Sequence, residues 1–180
     1  MKKKRYIWKN ESGWLLLEWT EAGVTRFIFG LTEKEARRQN GLVTVQIVGD
    51  ISKEPKWVKS AVEWANGYFE GKRAEFPAPL DFSEATEFRR GVWKAAMKIK
   101  YGKTRSYGEL AKAAGDAKAA RAVGNALGAN PVLVIVPCHR VLKSDGSLGG
   151  FSSGLEVKKA LLSLEKGGKA DYGRLKCRQS

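Results

Sequence analysis

The side chains most suited to chemistry lie together in residues 137–141 (PCHRV). They directly follow the apolar run 132–136 (VLVIV), which predicts a short strand buried on both sides. This stretch holds the only histidine of the chain, His139, and one of its two cysteines, Cys138. A free thiol has a pKa of about 8.5, which neighbouring positive charge lowers. Two interpretations of Cys138 stay open: a reactive thiol, favoured by the polar pair that follows it, and an inert buried cysteine. Because adjacent residues seldom aim their side chains at each other, a water between Cys138 and His139 is favoured over a direct hydrogen bond.

Metal, disulfide and membrane chemistry are disfavoured by the composition. A structural zinc site needs three or four His or Cys ligands, and the sequence offers Cys138, His139 and Cys177. Two cysteines cannot form the disulfide framework of a small secreted domain. The basic start lacks the apolar stretch of a signal peptide, and no run of about 18 apolar residues follows. We expect a protein of the cytoplasm, or of the nucleus in a eukaryote, with no metal and no membrane partner.

The charge is strongly positive and unevenly distributed. The chain has 33 Lys and Arg against 19 Asp and Glu, a net charge of +14. Residues 84–180 carry 19 of these basic side chains and only 8 of the acidic ones. A positive field of this kind favours the binding of polyanions, with nucleic acid a better candidate than an anionic membrane. The alternative is a merely solvated surface, as in a heat-adapted protein.

Periodicity predicts a small α/β unit in the first half of the chain. Short aromatic and β-branched runs predict strands at residues 6–9, 14–20, 24–29 and 43–48. A capping-box pattern at Thr32–Glu35 predicts a helix to about Asn40, and helical spacing predicts another over residues 55–70. The stretch 71–82, with two prolines, breaks the periodicity. We predict a first domain over residues 1–80.

The second half is predicted to be mainly helical. A helix over residues 88–99 precedes a second capping box, Ser106–Glu109, and a further helix runs over about residues 117–127. Two short helices joined by a Gly-containing turn predict a helix-turn-helix, with Lys118 and Arg121 in the first turn of its second helix. A last helix covers residues 155–166. We predict a second domain over residues 81–168 and a loose basic tail over residues 169–180.

Several motifs of the second half together resemble the O6-alkylguanine-DNA alkyltransferases, over roughly residues 88–167. The central motif is Val136-Pro-Cys-His-Arg-Val141, and the flanking matches are residues 88–93, 101–111, 121–125, 130–131, 149–155 and 165. The resemblance implies a ribonuclease H-like N-terminal α/β domain followed by a helix-turn-helix domain that carries the active site. It implies a monomer that repairs O6-alkylguanine in duplex DNA, with O4-alkylthymine as a further candidate. The alkyl group is implied to move once onto the protein's own cysteine, with no cofactor.

The resemblance also assigns roles to individual residues. Cys138 is implied as the acceptor, with its proton passing through water to His139, which Glu165 orients. Taken alone, Glu165 would be a solvent-facing helix residue and Tyr107 a core residue. Tyr107 is implied to donate a proton towards purine N3, and the carbonyls of Cys138 and Val141 to read the exocyclic amine. The implied substrate pocket consists of Asn130, Pro137, Arg140, Val141, Phe151, Ser152 and Ser153, and Asn130 has the alternative of a plain helix C-cap.

DNA contact is implied for the second helix of the pair. Arg121 matches an arginine finger that fills the stack after the base is flipped out, with the helix in the minor groove. Small residues on this helix, including Ala126, would let its backbone approach closely. The implied DNA-binding residues are Ser106, Lys118, Ala120, Arg121, Ala122, Gly124 and Asn125.

One departure from the family pattern concerns Ser153, which stands where a glycine is usual. If its φ is positive, serine strains the backbone there by about 1–2 kcal/mol. Its side chain would also narrow the pocket. We therefore expect methyl adducts to react well and benzyl adducts slowly. Cys177 has no counterpart in the family pattern and is expected to be an exposed thiol.

Three rival functions are weighed against alkyl transfer. A non-catalytic sensor that flips alkylated bases and recruits other repair factors is disfavoured, because relatives of that kind lack the acceptor cysteine. A transcription regulator would need a dimer interface or effector domain. A thiol hydrolase would turn over repeatedly, whereas an alkyltransferase stops after one equivalent.

Overall fold

The structure, a computed structural model, describes residues 2–40, 46–47 and 49–168. These residues form two compact units, one within residues 2–81 and one within residues 82–168. Residues 43–45 and 48 of the predicted fourth strand, and the predicted basic tail with Cys177, lie outside the described residues. No helix in the described ranges has the length and apolar character needed to cross a membrane.

The first unit is built on a four-stranded sheet, as the strand patterns predict. Strands β1 (Lys4–Asn10), β2 (Gly13–Thr20) and β3 (Gly23–Leu31) form an antiparallel meander, and β4 (Gln46–Ile47) lies parallel to β1. The order across the sheet is β3-β2-β1-β4. Because β2 is central, every residue from Leu15 to Thr20 is buried, and the buried carboxylate of Glu18 accepts hydrogen bonds from Arg5.

Two helices accompany this sheet, close to their predicted positions. Helix α1 (Glu33–Asn40) begins with the predicted capping box, in which Glu35 N donates to Thr32 Oγ1 and Thr32 N to Glu35 Oε2. Helix α2 (Lys56–Phe69) follows a 3₁₀ turn and has Pro55 as its N-cap residue. Its buried face includes Phe69, whose ring centre lies 4.9 Å from that of Phe29 on β3.

The second unit contains four helices and a two-stranded parallel pair. The helices are α3 (Glu87–Met97), α4 (Tyr107–Ala113), α5 (Ala120–Gly128) and α6 (Leu155–Glu165). The short strands β5 (Arg105–Ser106) and β6 (Val141–Leu142) pair in parallel, and a 3₁₀ turn, Cys138–Arg140, directly precedes β6. This unit carries the whole candidate site.

Helix α5 begins later than the sequence predicts, at Ala120 rather than near Ala117. Lys118 N donates to Asp116 Oδ1 at 2.9 Å, so an Asx turn captures the chain before the helix starts. Lys118 therefore precedes the helix instead of lying in its first turn. Arg121 is in the first turn as predicted, but Ala126 is buried and faces the protein core, where it cannot approach DNA.

The apolar run 132–136 is wholly buried, as predicted, but it is a tight turn and not a strand. Ile135 N donates to Leu133 O at 2.8 Å around Val134, whose φ of 70° is the only positive φ of a non-glycine residue in the described chain. This is a γ-turn with the strained sense of rotation. The Asn130 side chain takes the hydrogen bonds that a partner strand would otherwise supply, accepting from Val132 N and donating to Val136 O.

Candidate active site

A capping box fixes the start of α4 and thereby the position of Tyr107. Glu109 N donates to Ser106 Oγ at 3.1 Å, and Ser106 N donates to Glu109 Oε2 at 2.7 Å. Both polar groups of Ser106 that could meet DNA are therefore engaged in starting the helix. Tyr107, the first helical residue, is half-buried and donates from its hydroxyl to Gly150 O at 3.3 Å.

Helix α5 turns one face to the core and the other to solvent. Its buried residues include Val123 and Leu127, and the indole of Trp93 on α3 donates to Ala126 O at 2.8 Å, which satisfies a carbonyl near the helix end. The opposite face places four of the predicted DNA-binding residues outward or at the boundary: Ala120, Arg121, Ala122 and Gly124, followed by the exposed Asn125. Arg121 is exposed.

Asn130 connects the end of α5 to the candidate nucleophile. It is not the C-cap of α5, a position held by Ala129. Its amide Nδ2 donates to Val136 O at 2.9 Å and to Cys138 Sγ at 3.3 Å. The sulfur is therefore held by a side chain whose other contacts define the tight turn before it.

Burial makes Cys138 a weaker acid than a free cysteine. Only 4% of the residue is exposed, and this desolvation raises the pKa of the thiol. The Asn130 hydrogen bond and the charge of Lys158 act in the opposite direction but do not outweigh the burial. The thiol is thus protonated in the resting protein at neutral pH, although nearby positive charge acts to lower its pKa. Its reaction requires a base.

A buried base stands next to it in the chain. His139 Nε2 lies 2.8 Å from Glu165 Oε1, and both side chains are almost completely buried. Arg140 Nε and Nη2 donate to the same carboxylate at 2.8–3.0 Å, and Gly102 N donates to its second oxygen at 2.9 Å. Taken alone, Glu165 would be expected to face solvent, but in the structure it is buried. It is the acceptor at the centre of the cluster.

Burial and the contact with Glu165 determine the protonation state and the tautomer of the His139 imidazole. Burial lowers the pKa of His139, with Glu165 acting in the opposite direction, so the ring is neutral. Because Glu165 is ion-paired with Arg140, its oxygen acts as acceptor and Nε2 carries the ring proton. The lone pair is then on Nδ1. A neutral imidazole oriented in this way can accept a proton and share the resulting charge with the carboxylate.

A cavity of about 530 Å³ leads to the cysteine. Its walls come from the start of α4, the outward face of α5, the active-site turn and the loop before α6. Predicted residues in this lining are Tyr107, Ala120, Arg121, Gly124, Asn125, Cys138, Phe151 and Ser152. The sequence analysis did not assign Leu127, Gly128, Lys143, Gly149 or Gly150, which also line it.

Tyr107 stands in this cavity as a neutral donor. Burial, together with the nearby Cys138, raises the pKa of its phenol. Its ring leaves no room for a side chain at Gly149, where a Cβ would lie 2.9 Å from Tyr107 Cε2. Taken alone, Tyr107 would be expected in the core, but in the structure it is half-buried in the cavity wall.

Several predicted pocket residues lie behind the wall and not in it. Asn130, Pro137, Arg140, Val141 and Ser153 are not among the described residues that line the cavity. Arg140 instead holds Glu165 and donates from Nη1 to Ile99 O at 2.6 Å. Val141 O accepts a hydrogen bond from Lys158 Nζ at 2.6 Å. These residues hold the site in place.

The expectation for Ser153 is wrong in both its premises. Its φ is not positive, since Val134 is the sole non-glycine residue with that geometry in the described ranges. Its side chain is 1% exposed and lies outside the cavity lining, so it does not narrow the pocket. Its hydroxyl is buried without a hydrogen-bond partner among the described residues.

The sequence analysis also missed Lys158. This lysine is completely buried on α6, and its ammonium donates to two backbone carbonyls behind the active-site turn. A sequence signal was present: residues 157, 158, 161 and 165 share one face of the helix, so Lys158 falls on the buried stripe. No group of three or more His, Cys, Asp or Glu able to hold a metal occurs within the described residues.

Comparison with known proteins gives consistent results. Residues 87–167 match the family described as 6-O-methylguanine DNA methyltransferase, DNA binding domain. The chain is 50% identical over 113 residues to a methylated-DNA–protein-cysteine methyltransferase of Mycobacterium bovis, covering 63% of this chain and 68% of that protein. A Methanosarcina acetivorans protein of the same name is 37% identical over 159 residues, covering 88% and 96%. The crystal structure of Mycobacterium tuberculosis OGT in complex with DNA superposes with a TM-score of 0.76 at 37% identity, covering 93% and 96%.

The two-unit α/β fold, the cavity that reaches Cys138 and the buried His139–Glu165 pair next to it in the chain define a transferase that uses a cysteine side chain. The identities and coverage specify it further. The chain belongs to the methylated-DNA–protein-cysteine methyltransferase family.

Proposed function

We propose that the protein repairs O6-alkylguanine in double-stranded DNA by transferring the alkyl group, once per molecule, to Cys138, with O4-alkylthymine as a further substrate. One observation carries the proposal: the cysteine in the wall of the cavity is followed directly by a neutral histidine bound to a buried glutamate. The cavity and this base supply what a protonated thiol needs to become a nucleophile. Apart from one bridging water, every group that the reaction requires of the protein is a side chain, so the proposal needs no cofactor.

The bond changes balance as follows. The thiol proton of Cys138 passes through a water to Nδ1 of His139, and Glu165 stabilises the imidazolium that forms. The Sγ–carbon bond forms as the O6–carbon bond breaks, and the electron pair of the broken bond stays on the purine. Since the product is a thioether with no leaving group, the site is not regenerated. The protein is consumed in one turnover.

Tyr107 is proposed to stabilise the purine as it leaves. Its phenol is neutral and in the cavity wall, so it can donate towards N3 of the base. The proton that it gives up is replaced from solvent, because the residue is only half-buried. A donor placed where negative charge develops lowers the barrier of the transfer step.

DNA contact is proposed for the outward face of α5. The target atom lies inside the duplex, so the base has to be flipped into the cavity. Arg121 is exposed and also lines the cavity, a position that suits a side chain filling the vacated space in the base stack. Ala120, Ala122 and Gly124 give this face a low profile, which supports docking in the minor groove with α4 and α5 acting as a helix-turn-helix. Exposed basic residues, Lys118 among them, add phosphate contacts.

Further assignments follow from the same proposal. The sheet order β3-β2-β1-β4, antiparallel except for β4, supports a ribonuclease H-like relationship for the first unit. The cavity residues Cys138 and Tyr107 and the buried pair His139–Glu165 all belong to one chain, which supports action as a monomer. With DNA as substrate, we place the activity in the cytoplasm, or in the nucleus of a eukaryotic cell.

The decisive experiment uses duplex DNA with a radiolabelled methyl group on O6 of guanine. Peptide mapping is expected to find the label on Cys138, at no more than one methyl group per protein. Cys138→Ala should abolish transfer and keep DNA affinity. Repeated turnover, or label on another residue, would contradict the proposal.

A second experiment separates DNA binding and base flipping from sulfur chemistry. Arg121→Ala should slow transfer from duplex DNA and weaken DNA binding, but leave reaction with the free base O6-methylguanine unchanged. Lys94→Ala, which removes an exposed cation from α3 in the same unit, is the matched control and should retain transfer from duplex DNA. An equal loss in both variants would assign Arg121 to general electrostatic attraction alone.

A further inference from the structure

Lys158 has an unusual environment for a lysine. It is completely buried, and its Nζ donates to Val141 O at 2.6 Å and to Leu148 O. The ring centres of Tyr107 and Phe151 lie 5.9 and 6.0 Å from Nζ, within reach of a cation–π interaction. None of the carboxylates that the structure describes forms an ion pair with this ammonium. A buried charge without a counter-ion is unfavourable, and such a residue is retained where its charge has a use.

The groups that face the ammonium belong to the active site. Cys138 and His139 come from the active-site turn and Tyr107 from α4, while the loop before α6 meets Nζ through its carbonyls at 141 and 148. The positive charge lowers the pKa of Cys138, and a thiolate on Cys138 in turn raises the pKa of Lys158. Burial is the larger influence on Lys158 and lowers its pKa to about 8. The lysine is therefore mostly protonated at pH 7.

We propose that Lys158 is a positioning residue of the alkyl-transfer site, whose buried ammonium attracts the thiolate forming on Cys138 and ties both ends of the loop 141–148 to α6. The proposal rests on the function proposed above. The attraction of the thiolate and the attachment of the loop both depend on the same ammonium. The carbonyls that hold it in place belong to the segment that leads into Gly149, Gly150 and Phe151 of the cavity wall. The charge acts only when sulfur loses its proton, which is the moment of reaction.

The test measures the ionisation of Cys138 without DNA. The rate of carboxamidomethylation by iodoacetamide is followed from pH 6 to pH 10 in a Cys177→Ser background, so that Cys138 is the only thiol. Lys158→Met keeps the length of the side chain and removes the charge, and Lys158→Arg keeps the charge. Lys159→Met is the matched control, because Lys159 is the exposed neighbour on the same helix and pairs with Glu156.

In Lys158→Met, alkylation of Cys138 at pH 7, where Lys158 is charged in the unmodified protein, should be about tenfold slower. Methyl transfer from DNA should slow by a similar factor at pH 7 and recover towards pH 9. Lys158→Arg should keep the alkylation rate at pH 7 even if misplacement of the loop slows transfer, and Lys159→Met should behave as the unmodified protein. An unchanged alkylation rate at pH 7 in folded Lys158→Met would overturn the proposal.

A reciprocal measurement covers the case in which Lys158→Met does not fold. NMR titration of ¹³C-labelled lysines follows Lys158 directly in the unmodified protein and in Cys138→Ser. Because the thiolate raises the pKa of Lys158, its midpoint should fall in Cys138→Ser, and an unchanged value would also overturn the proposal. A change in the alkylation rate of Lys158→Met or in the midpoint of Lys158, without label transfer from DNA, would instead contradict the proposed function and leave the coupling intact.

Discussion

His139 and Glu165 are 26 residues apart in the chain, yet their Nε2 and Oε1 atoms lie 2.8 Å apart in the interior of the second unit. Arg140 and Gly102 bind the same carboxylate, so its oxygens receive donors from two separate segments, the active-site turn and the stretch after α3. This arrangement orients the imidazole and also joins the ends of α3 and α6 to the active-site turn. The stability of the unit and the activity proposed for it thus depend on the same side chain.

Glu165→Gln is expected to reduce both the stability of the protein and its rate of methyl transfer. Loss of the charge leaves the Arg140 guanidinium buried without its counter-ion, which should reduce the free energy of unfolding by about 3–5 kcal/mol. Methyl transfer at pH 7 should slow by about a hundredfold or more, because the imidazolium is no longer stabilised. Urea unfolding and single-turnover kinetics measure the two effects. The control is Glu156→Gln, an exposed position on the same helix, which should change stability by less than about 1 kcal/mol.

The neutral state of His139 predicts a loss of stability in mild acid. In the unfolded chain the imidazole binds a proton near pH 6.5, whereas burial lowers the pKa in the native state. The unfolded state thus binds more protons below pH 6.5, so stability should fall with decreasing pH by up to about 1.4 kcal/mol per unit.

Because the chain has one histidine, the measurement is direct. Urea unfolding is measured between pH 7.0 and 5.5, a range in which exposed carboxyls do not titrate. The pKa values of four of them lie below the ordinary values of 4.5 for Glu and 3.8 for Asp: Glu33, Asp50, Glu109 and Asp145. The imidazole NMR signals of the native protein should show a midpoint below pH 6.5. A titration centred at pH 6.5 would show that His139 is accessible to solvent.

Gly149→Ala should damage the cavity beyond the strain of its backbone. Gly149 and Gly146 have φ values of 65° and 81°, so alanine is strained at both, by about 1–2 kcal/mol. Only at position 149 would the new Cβ meet Tyr107, at 2.9 Å, whereas nothing lies within 4 Å at Gly146. Both variants should lose similar stability, but only Gly149→Ala should slow methyl transfer. Equal transfer rates in the two variants would show that the Tyr107 ring moves without consequence.

Ser153→Ala should stabilise the protein. The buried hydroxyl has no hydrogen-bond partner in the described part of the chain, and its removal should raise the free energy of unfolding by about 1 kcal/mol. The ratio of the rates with O6-methylguanine and O6-benzylguanine should stay unchanged, because Ser153 does not line the cavity. Ser152→Ala, at an exposed position, should change stability by less than about 0.5 kcal/mol. A faster reaction with O6-benzylguanine in Ser153→Ala would show that the Ser153 side chain does narrow the pocket.

The sequence predicts those features of the fold that depend on local chemistry. Both capping boxes, at Thr32 and Ser106, form as their spacing indicates, and the strands of the meander lie where the aromatic and β-branched runs predict them. The start of α5 was misplaced because Asp116 uses its side chain to make a turn that competes with the helix. The run 132–136 was misassigned because Asn130 supplies the hydrogen bonds of a partner strand from one side chain.

For the site, the family motif locates the reacting residues but not their protonation. Desolvation of Cys138 depends on how the second unit packs around it, which no local pattern specifies. The same holds for Lys158 and Arg140, whose charges indicate solvent exposure until tertiary contacts bury them. Family patterns name positions, whereas the energetics of the site arise from long-range packing.

The hydrogen bond from Trp93 to Ala126 O has a spectroscopic consequence. The other five tryptophans of the chain, at positions 8, 14, 19, 57 and 64, belong to the first unit. Trp93 alone reports on the second, and its indole is bonded to the backbone of the helix that bears Arg121. Any displacement of that helix alters the polarity around the indole and therefore the wavelength of its emission. The protein carries an intrinsic fluorophore with which stopped-flow instruments can follow the encounter with damaged DNA in real time, without an attached dye.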